Sequence, residues 1–454
     1  MEREPLPPPA RRSWWLEEAL ADDPGEPCPP LAGRVRADVL VVGGGYVGMY
    51  AALGLERRLA ARGDELVLVS PESFMQYQPF LPEVASGNIE PRHVVVSLRQ
   101  VLRRTRLLVG EVELLDHPAR VARVRTADGA LRDLPYDVVV LGPGSRSRVL
   151  PIPGLRERGV GFKAVAEAIY LRNRLLSRMD VAASAADPEV RRAALTFVFV
   201  GGGYAGVEAL AELEDLGRAA LRFYPGLGPG DLRFVLVEAA DRILGELSPA
   251  LAEHVRRLLE ARGVEVALGT RLASAEGGVI RLSDGRAFRA DTLVWTAGVR
   301  PHPLAARSGF PVDDAGRVLV DEFLRVRGLE GAWAAGDAAA VPDLTTGGLC
   351  PPTAQHALRL LLIPRLAQDL PAIDDGGVGG DHDFITLQLQ SCFPGFVKRQ
   401  ADDIGLRILV WEWLFIHLGR RNPESPSTQG EQVSSPRGSR SQHQRHATIL
   451  THSL

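Results

Sequence analysis

Cysteine is nearly missing from this chain. Only Cys28, Cys350 and Cys392 occur in 454 residues. They are too far apart for a C-x-x-C pair, which excludes a disulfide framework, a thiolate zinc site and a dithiol redox motif. No metal centre is expected, and a reducing, cytoplasmic setting fits. Charge of one sign is lacking as well: a formal net charge of -3 offers no basic face to displace phosphate counterions, so nucleic acid is excluded as a partner. Long apolar runs are absent too. The opening residues are proline-rich and acidic and do not read as a signal peptide. The most apolar late stretch, Ile404 to Leu418, carries Arg407, Glu412 and His417 and is too short to span a bilayer. Any membrane contact is expected to be peripheral, on the inner face of the cell membrane.

What is present is the composition of a globular protein, 45% hydrophobic and 24% charged, with length for two or three domains. "DVLVV" (Asp38 to Val42) is short, β-branched and uninterrupted, the pattern of a strand buried on both faces of a parallel sheet. "YVGMYAALGLERRLAARG" then takes helical spacing up to Gly63, a C-cap, and "ELVLVS" (Glu65 to Ser70) returns to strand. This strand-helix-strand unit recurs in "TFVFV" (Thr196 to Val200), a helix from Tyr204 to about Leu221, and "RFVLVE" (Arg233 to Glu238). "YDVVVLGPGS" (Tyr136 to Ser145) and "DTLVWTAGVRP" (Asp291 to Pro301) add further buried strands that end in glycine turns.

Between strand and helix each unit carries G-x-G-x-x-G: Gly43, Gly45 and Gly48, then Gly201, Gly203 and Gly206. The first glycine permits the tight turn, the second lets backbone approach a pyrophosphate, and the third allows close helix packing. The N-terminus of the following helix offers free N–H groups and the positive end of its dipole to the phosphates. Two such cradles predict two dinucleotides, one a bound flavin and the other a transient nicotinamide, so that hydride can cross between them. Glu238 closes the second strand, where a carboxylate accepts from ribose hydroxyls and repels the extra phosphate of NADP. NAD is therefore favoured there, although the nearby Arg242 can accommodate a phosphate. In the first unit the matching position is Ser70, and the ribose contact falls to Glu72 or is weakened.

Together with "TAGVRP", "GLEGAWAAGDAAAVPD" (Gly328 to Asp343) and "CPPTAQHALR" (Cys350 to Arg359), the cradles resemble the two-dinucleotide flavoprotein superfamily. Within it the chain is most similar to the type II NADH dehydrogenases, single-subunit NADH:quinone oxidoreductases, from about residue 37 to 359. The stretches "FMQYQPFLPEVASGNIEPRHVVVSLR" (Phe74 to Arg99) and "LPIPGLRERGVGFKAVAEAIYLRNRLL" (Leu150 to Leu176) also read like that family. The resemblance implies an α/β fold of two Rossmann-like domains, with the FAD domain interrupted by an inserted NAD domain and followed by a degenerate C-terminal region. The segments are 1–34, an extended lead-in; 35–155 and 297–365, FAD-binding; 156–296, NAD-binding; 366–421, for membrane docking or dimer contact; and 422–454, a disordered tail. FAD is the expected bound cofactor, NADH and quinone the substrates, and a homodimer is allowed.

The resemblance further implies cofactor contacts at Gly144, Gly298, Gly336, Asp337 and Ala354, and catalytic roles for Glu208 and Gln355. Asp337 would hold the ribityl chain, while the "TAQHA" segment would bring a helix N-terminus to the flavin pyrimidine edge. Each has a plainer alternative. Glu208 falls in the first turn of a helix, where the dipole alone favours a carboxylate; Asp337 fits a helix N-cap; His356 and the cysteines fit structural roles. Where the family has a second glutamine near the quinone, this chain reads Arg359 and Leu360. "GLRILVWEWLFIHLGRR" (Gly405 to Arg421) gathers Leu406, Leu409, Val410, Trp413, Leu414 and His417 on one helical face, which suits either a membrane surface or a protein interface. Two rival functions stay open: a soluble NADH oxidase or reductase with another acceptor, and a non-catalytic FAD- and NAD-binding redox sensor.

Overall fold

The run "DVLVV" becomes a strand buried on both faces because each face has its own apolar partner. In a computed structural model, which describes residues 36–343 and 347–350, β1 (Ala37–Val42) sends Leu40 and Val42 into one core cluster and Val39 and Val41 into another. Neither face needs polar residues, so alternation disappears from the sequence. The second of these clusters is completed by Ala52, Leu55 and Leu59 of α1 (Tyr46–Arg62). Gly63 ends that helix at φ 78, in the left-handed conformation that glycine adopts without penalty. β2 (Leu66–Ser70) is buried along its whole length and runs parallel to β1. A short strand β3 (Phe74–Gln76) and helix α2 (Leu81–Ser86) follow.

A meander comes next: β4 (Arg106–Asp116), β5 (Val121–Thr126) and β6 (Leu131–Leu141). The first part of β4 lies parallel to β2 and its second part antiparallel to β5. β6 reverses this, antiparallel to β5 first and then parallel to β1. Each long strand thus serves a doubly buried sheet at one end and a half-exposed one at the other. The burial of β5 alternates accordingly.

The chain then leaves through β7 (Ser145–Ser147) and builds a second fold. Its elements are β8 (Gly159–Val160), α3 (Val165–Ser184), β9 (Thr196–Val200), α4 (Tyr204–Ala220), β10 (Arg233–Val237), β11 (Glu265–Ala267) and β12 (Thr292–Trp295). The sheet is five-stranded in the order β11-β10-β9-β12-β8, and every pairing in it is parallel. β13 (Val299–Pro301) then returns antiparallel to β7, and β14 (Ala332–Ala334) adds to β6 of the first sheet. The fold is therefore two Rossmann-like units, the second inserted into the first. α2 of the outer unit packs against α3 and α4 of the inserted one.

The lead-in 1–34, Ala354 and Gln355 with the "TAQHA" segment, the 366–421 region with its 405–421 helix, and the 422–454 tail lie outside the described residues.

Candidate functional site

The two glycine turns adopt one geometry. Gly43 and Gly201 stand at φ 100 and φ 117, a region that side-chain-bearing residues rarely enter. A methyl on Gly48 would run into the carbonyl oxygen of Gly43, and one on Gly206 into that of Gly201. The first and third glycines are therefore required by the turn itself. The middle ones are not: a Cβ on Gly45 or Gly203 meets no atom within 4 Å. Those faces are open, as a phosphate-approach surface must be. Gly45 and Gly203 also cap α1 and α4 without any side-chain hydrogen bond, and neither helix has an acidic residue in its first turn. The N-terminal N–H groups thus have no carboxylate from their own helix's first turn to compete for them, and the residues present fit a dinucleotide in each turn.

The cradles differ behind the turn. In the second, Glu238 just past β10 accepts the N–H of Gly202 at 2.5 Å and of Ala240 at 2.7 Å, so its carboxylate is fixed beside the turn by backbone. In the first, Ser70 takes that place, with its Oγ 2.5 Å from where a Gly44 Cβ would stand. Glu72 lies exposed two residues further on. Arg242 donates to the carbonyl oxygens of Gly245 at 2.6 Å and Leu247 at 3.4 Å, which ties the guanidinium into its own loop. The strand facing each turn also differs. Val42 is in register with Leu141 and Val200 with Trp295, so Gly142 and Thr296 follow in equivalent positions. Thr296 Oγ donates toward the carbonyls of Val200 and Gly201, both at 3.1 Å, whereas Gly142 has no side chain to do so.

Gly144 and Gly298, at φ 67 and φ 87, sit where the chain exits into β7 and comes back into β13. His302 N–H bonds the Gly144 carbonyl at 3.0 Å and Arg148 N–H the Gly298 carbonyl at 3.1 Å. Gly336, at φ 70, opens a 3-10 turn, Gly336–Ala338, just after β14. Asp337 lies inside that turn, whose N-cap is Ala335, so it is not a helix N-cap. Its Oδ2 accepts the Ser145 hydroxyl at 2.5 Å, and the Lys163 ammonium bonds Ser145 Oγ and stands 3.7 Å from the same Asp337 oxygen.

Glu208 is not in the first turn of its helix. α4 begins at Tyr204, so Glu208 lies one turn in, half-buried, and the dipole does not account for it. Burial pushes its carboxyl up to about 8, with the Glu83 and Glu212 carboxyls adding to the effect. Glu212, one turn further along α4, is 1% exposed and accepts from the Asn88 amide at 2.9 Å. Glu83 reaches toward this group from α2. Burial raises it to about 7, helped by Glu212, and its Oε2 is buried with no hydrogen-bond partner.

Glu83 escaped the sequence reading, as did Lys163 and Thr296. Glu83 carries no motif of its own, and only the packing of α2 on α4 brings it to Glu208. Cys350 is the one cysteine among the described residues, and burial raises its thiol above the ordinary range. A reactive thiolate is not favoured there.

The family model described as pyridine nucleotide-disulphide oxidoreductase matches residues 37–359. An external alternative NADH-ubiquinone oxidoreductase of Yarrowia lipolytica is 28% identical over 348 residues, 72% of this chain and 59% of that protein. A type II NADH:quinone oxidoreductase of Mycobacterium tuberculosis, NdhA, is 30% identical over 337 residues, 70% of this chain and 69% of the relative. Among solved structures, NDH2 from Plasmodium falciparum in complex with NADH aligns with TM-score 0.63 at 18% identity, covering 68% of this chain and 65% of that one. The match spans less than two thirds of the Yarrowia and Plasmodium proteins.

Proposed function

Because the chain belongs to the pyridine nucleotide-disulphide oxidoreductase family, we propose that it is a flavoenzyme that oxidises NADH and reduces a membrane quinone without pumping protons. The observation that carries this reading is the pair of open-faced cradles, one backed by Ser70 and the other by Glu238. The names of the Yarrowia and Mycobacterium relatives supply the quinone. Bound FAD supplies the chemistry that the side chains lack: hydride uptake from NADH and two-electron delivery to the acceptor.

The chain's own residues bind, orient and handle protons. In this reading Gly43, Gly45 and Gly48 hold the FAD pyrophosphate at the start of α1, with Glu72, Gly144, Gly336 and Asp337 toward the ribose and ribityl groups. Gly201, Gly203 and Gly206 hold the NADH pyrophosphate at the start of α4. Glu238 takes the adenosine ribose, and the engagement of Arg242 with its own loop favours NADH over NADPH. Gly298 lies where the inserted unit rejoins the outer one. Glu208, kept protonated through neutral pH by its surroundings, orients the nicotinamide or gives up a proton beside it, while Ala354 and Gln355 keep their assignment at the flavin edge and acceptor side. No described helix is long and apolar enough to cross a membrane, so access to a lipid-soluble quinone is proposed to be peripheral, from the cytoplasmic face. The 405–421 segment is proposed for that contact or for a homodimer interface.

The test is anaerobic addition of NADH to the purified yellow protein, followed by a soluble quinone. Bleaching of the flavin band and its return with quinone are expected. A flavin band that NADH leaves unchanged overturns the enzyme reading, and return with oxygen but not with quinone overturns the acceptor.

A further inference from the structure

Lys163 belongs to neither glycine turn, yet several separate segments converge on it. Its N–H donates to Glu167 Oε2 at 2.6 Å, and its carbonyl accepts from Gln76 at 2.6 Å and from Gln78 at 3.4 Å. Gln76 also accepts the N–H of Val165 at 3.0 Å, so one amide clamps the backbone on both sides of Ala164. These bonds fix the crossover from the outer unit into α3. The ammonium, on a side chain only 24% exposed, then turns to Ser145 and Asp337.

We propose that Lys163 is a positioning residue of the flavin cradle, its ammonium fixing the Ser145–Asp337 pair from the crossover between the two dinucleotide folds. The proposal rests on the flavin reading of the first cradle. Ser145 stands where the chain leaves the outer unit, Asp337 where it has returned 192 residues later, and Lys163 where the insertion begins. Lysine is seldom buried to this extent without a paired charge. Burial draws its pKa down, while Asp337 and Glu167 oppose that. Both contacts made by Ser145 and Lys163 fall on Asp337 Oδ2, so one oxygen anchors the carboxylate and sets its plane. A carboxylate held in this way is a fixed acceptor for the hydroxyls of a ribityl chain; unheld, it is free to rotate. The same clamp joins the flavin-side carboxylate to the start of the inserted unit.

The experiment compares FAD affinity of the cofactor-stripped full chain, from flavin fluorescence, for wild type, K163M, K163R, D337N and the K163M/D337N pair. NADH binding at the second cradle serves as the control for folding. K163M is expected to weaken FAD about tenfold, the scale of one charge-assisted contact, and K163R to restore most of the loss. Adding D337N to K163M is expected to bring little further loss, because both changes remove one interaction. The smaller change S145A removes only the bridging hydroxyl and is expected to lie between wild type and K163M. Unaltered FAD affinity in K163M and S145A, or losses in K163M and D337N that multiply independently, overturns the proposal while leaving the flavin reading intact. Wild type that binds no FAD overturns both.

Discussion

Replacing Glu208 by glutamine keeps its shape and removes its titration, which makes it the sharpest probe of the carboxyl cluster. In the folded chain burial carries this group from 4.5 to about 8, and each tenfold change in proton affinity is worth about 1.4 kcal/mol. The upper limit is therefore about 5 kcal/mol, and residual solvent around a half-buried side chain lowers the expectation to about 2–4 kcal/mol. The sign follows from proton binding. Between pH 4.5 and about 8 the unfolded chain has lost this proton and the folded chain keeps it, so folding stability falls as pH rises through that window. Above it both forms are ionised and the penalty is constant. The neighbours that set this balance are Glu83 from α2, Glu212 from α4 itself and Asn88, which engages Glu212. The assay is the urea midpoint of the cofactor-free protein measured against pH for wild type and E208Q. Curves that meet near pH 4.5, diverge across the window and run parallel above pH 8 are expected, with E208Q the more stable. A constant offset at all pH values, or wild type the more stable at alkaline pH, refutes the reasoning.

Other outcomes follow from the same geometry. E83Q removes a charge that raises the Glu208 carboxyl, so an infrared titration should find the Glu208 proton leaving at lower pH than in wild type. In G206A the new Cβ would stand 2.6 Å from Thr296 Oγ and closer still to the Gly201 carbonyl. NADH affinity should fall at least about a hundredfold, on the scale of overpacking, while the flavin stays bound. G48A should show the reverse, a colourless protein that still quenches NADH. E238A leaves the Gly202 and Ala240 N–H groups without their acceptor and should weaken NADH about tenfold or more, with NADPH gaining only relatively, since Arg242 stays in its loop. Isothermal titration with the two nucleotides separates these effects.

The cradles were legible because their code is local. A five-residue apolar run, three spaced glycines and a helical period lie within one short window, and the first and third glycines answer to backbone demands that other residues do not meet. Glu238 is placed by the same window, directly after the strand that ends at Val237. What stayed hidden depends on contacts between distant segments. Nothing near Lys163 in the chain announces Asp337, and nothing near Glu83 announces Glu208; the insertion and the packing of α2 on α4 create both pairings. Of the meander, only the buried end of β6 from Tyr136 is legible, and the rest is hidden for another reason. β4 and β6 each change partners midway, so their patterns mix a buried run with an alternating one, and neither period dominates. The misplacement of Glu208 in the first turn was a matter of one turn of helix: the third cradle glycine already occupies that turn, and the carboxylate falls beyond the reach of the dipole.

The difference between Gly142 and Thr296 bears on how each turn survives without its occupant. The Thr296 hydroxyl reaches two carbonyls at the second turn, so that turn is expected to keep its shape when vacated. The first has no side chain at Gly142 to do the same, and its shape is expected to depend more on its occupant. A turn that empties and refills with every catalytic cycle gains from self-support, whereas one loaded once, during biosynthesis, can leave that task to its guest. On the proposed reading, the threonine belongs with the nucleotide that comes and goes and the glycine with the flavin that stays.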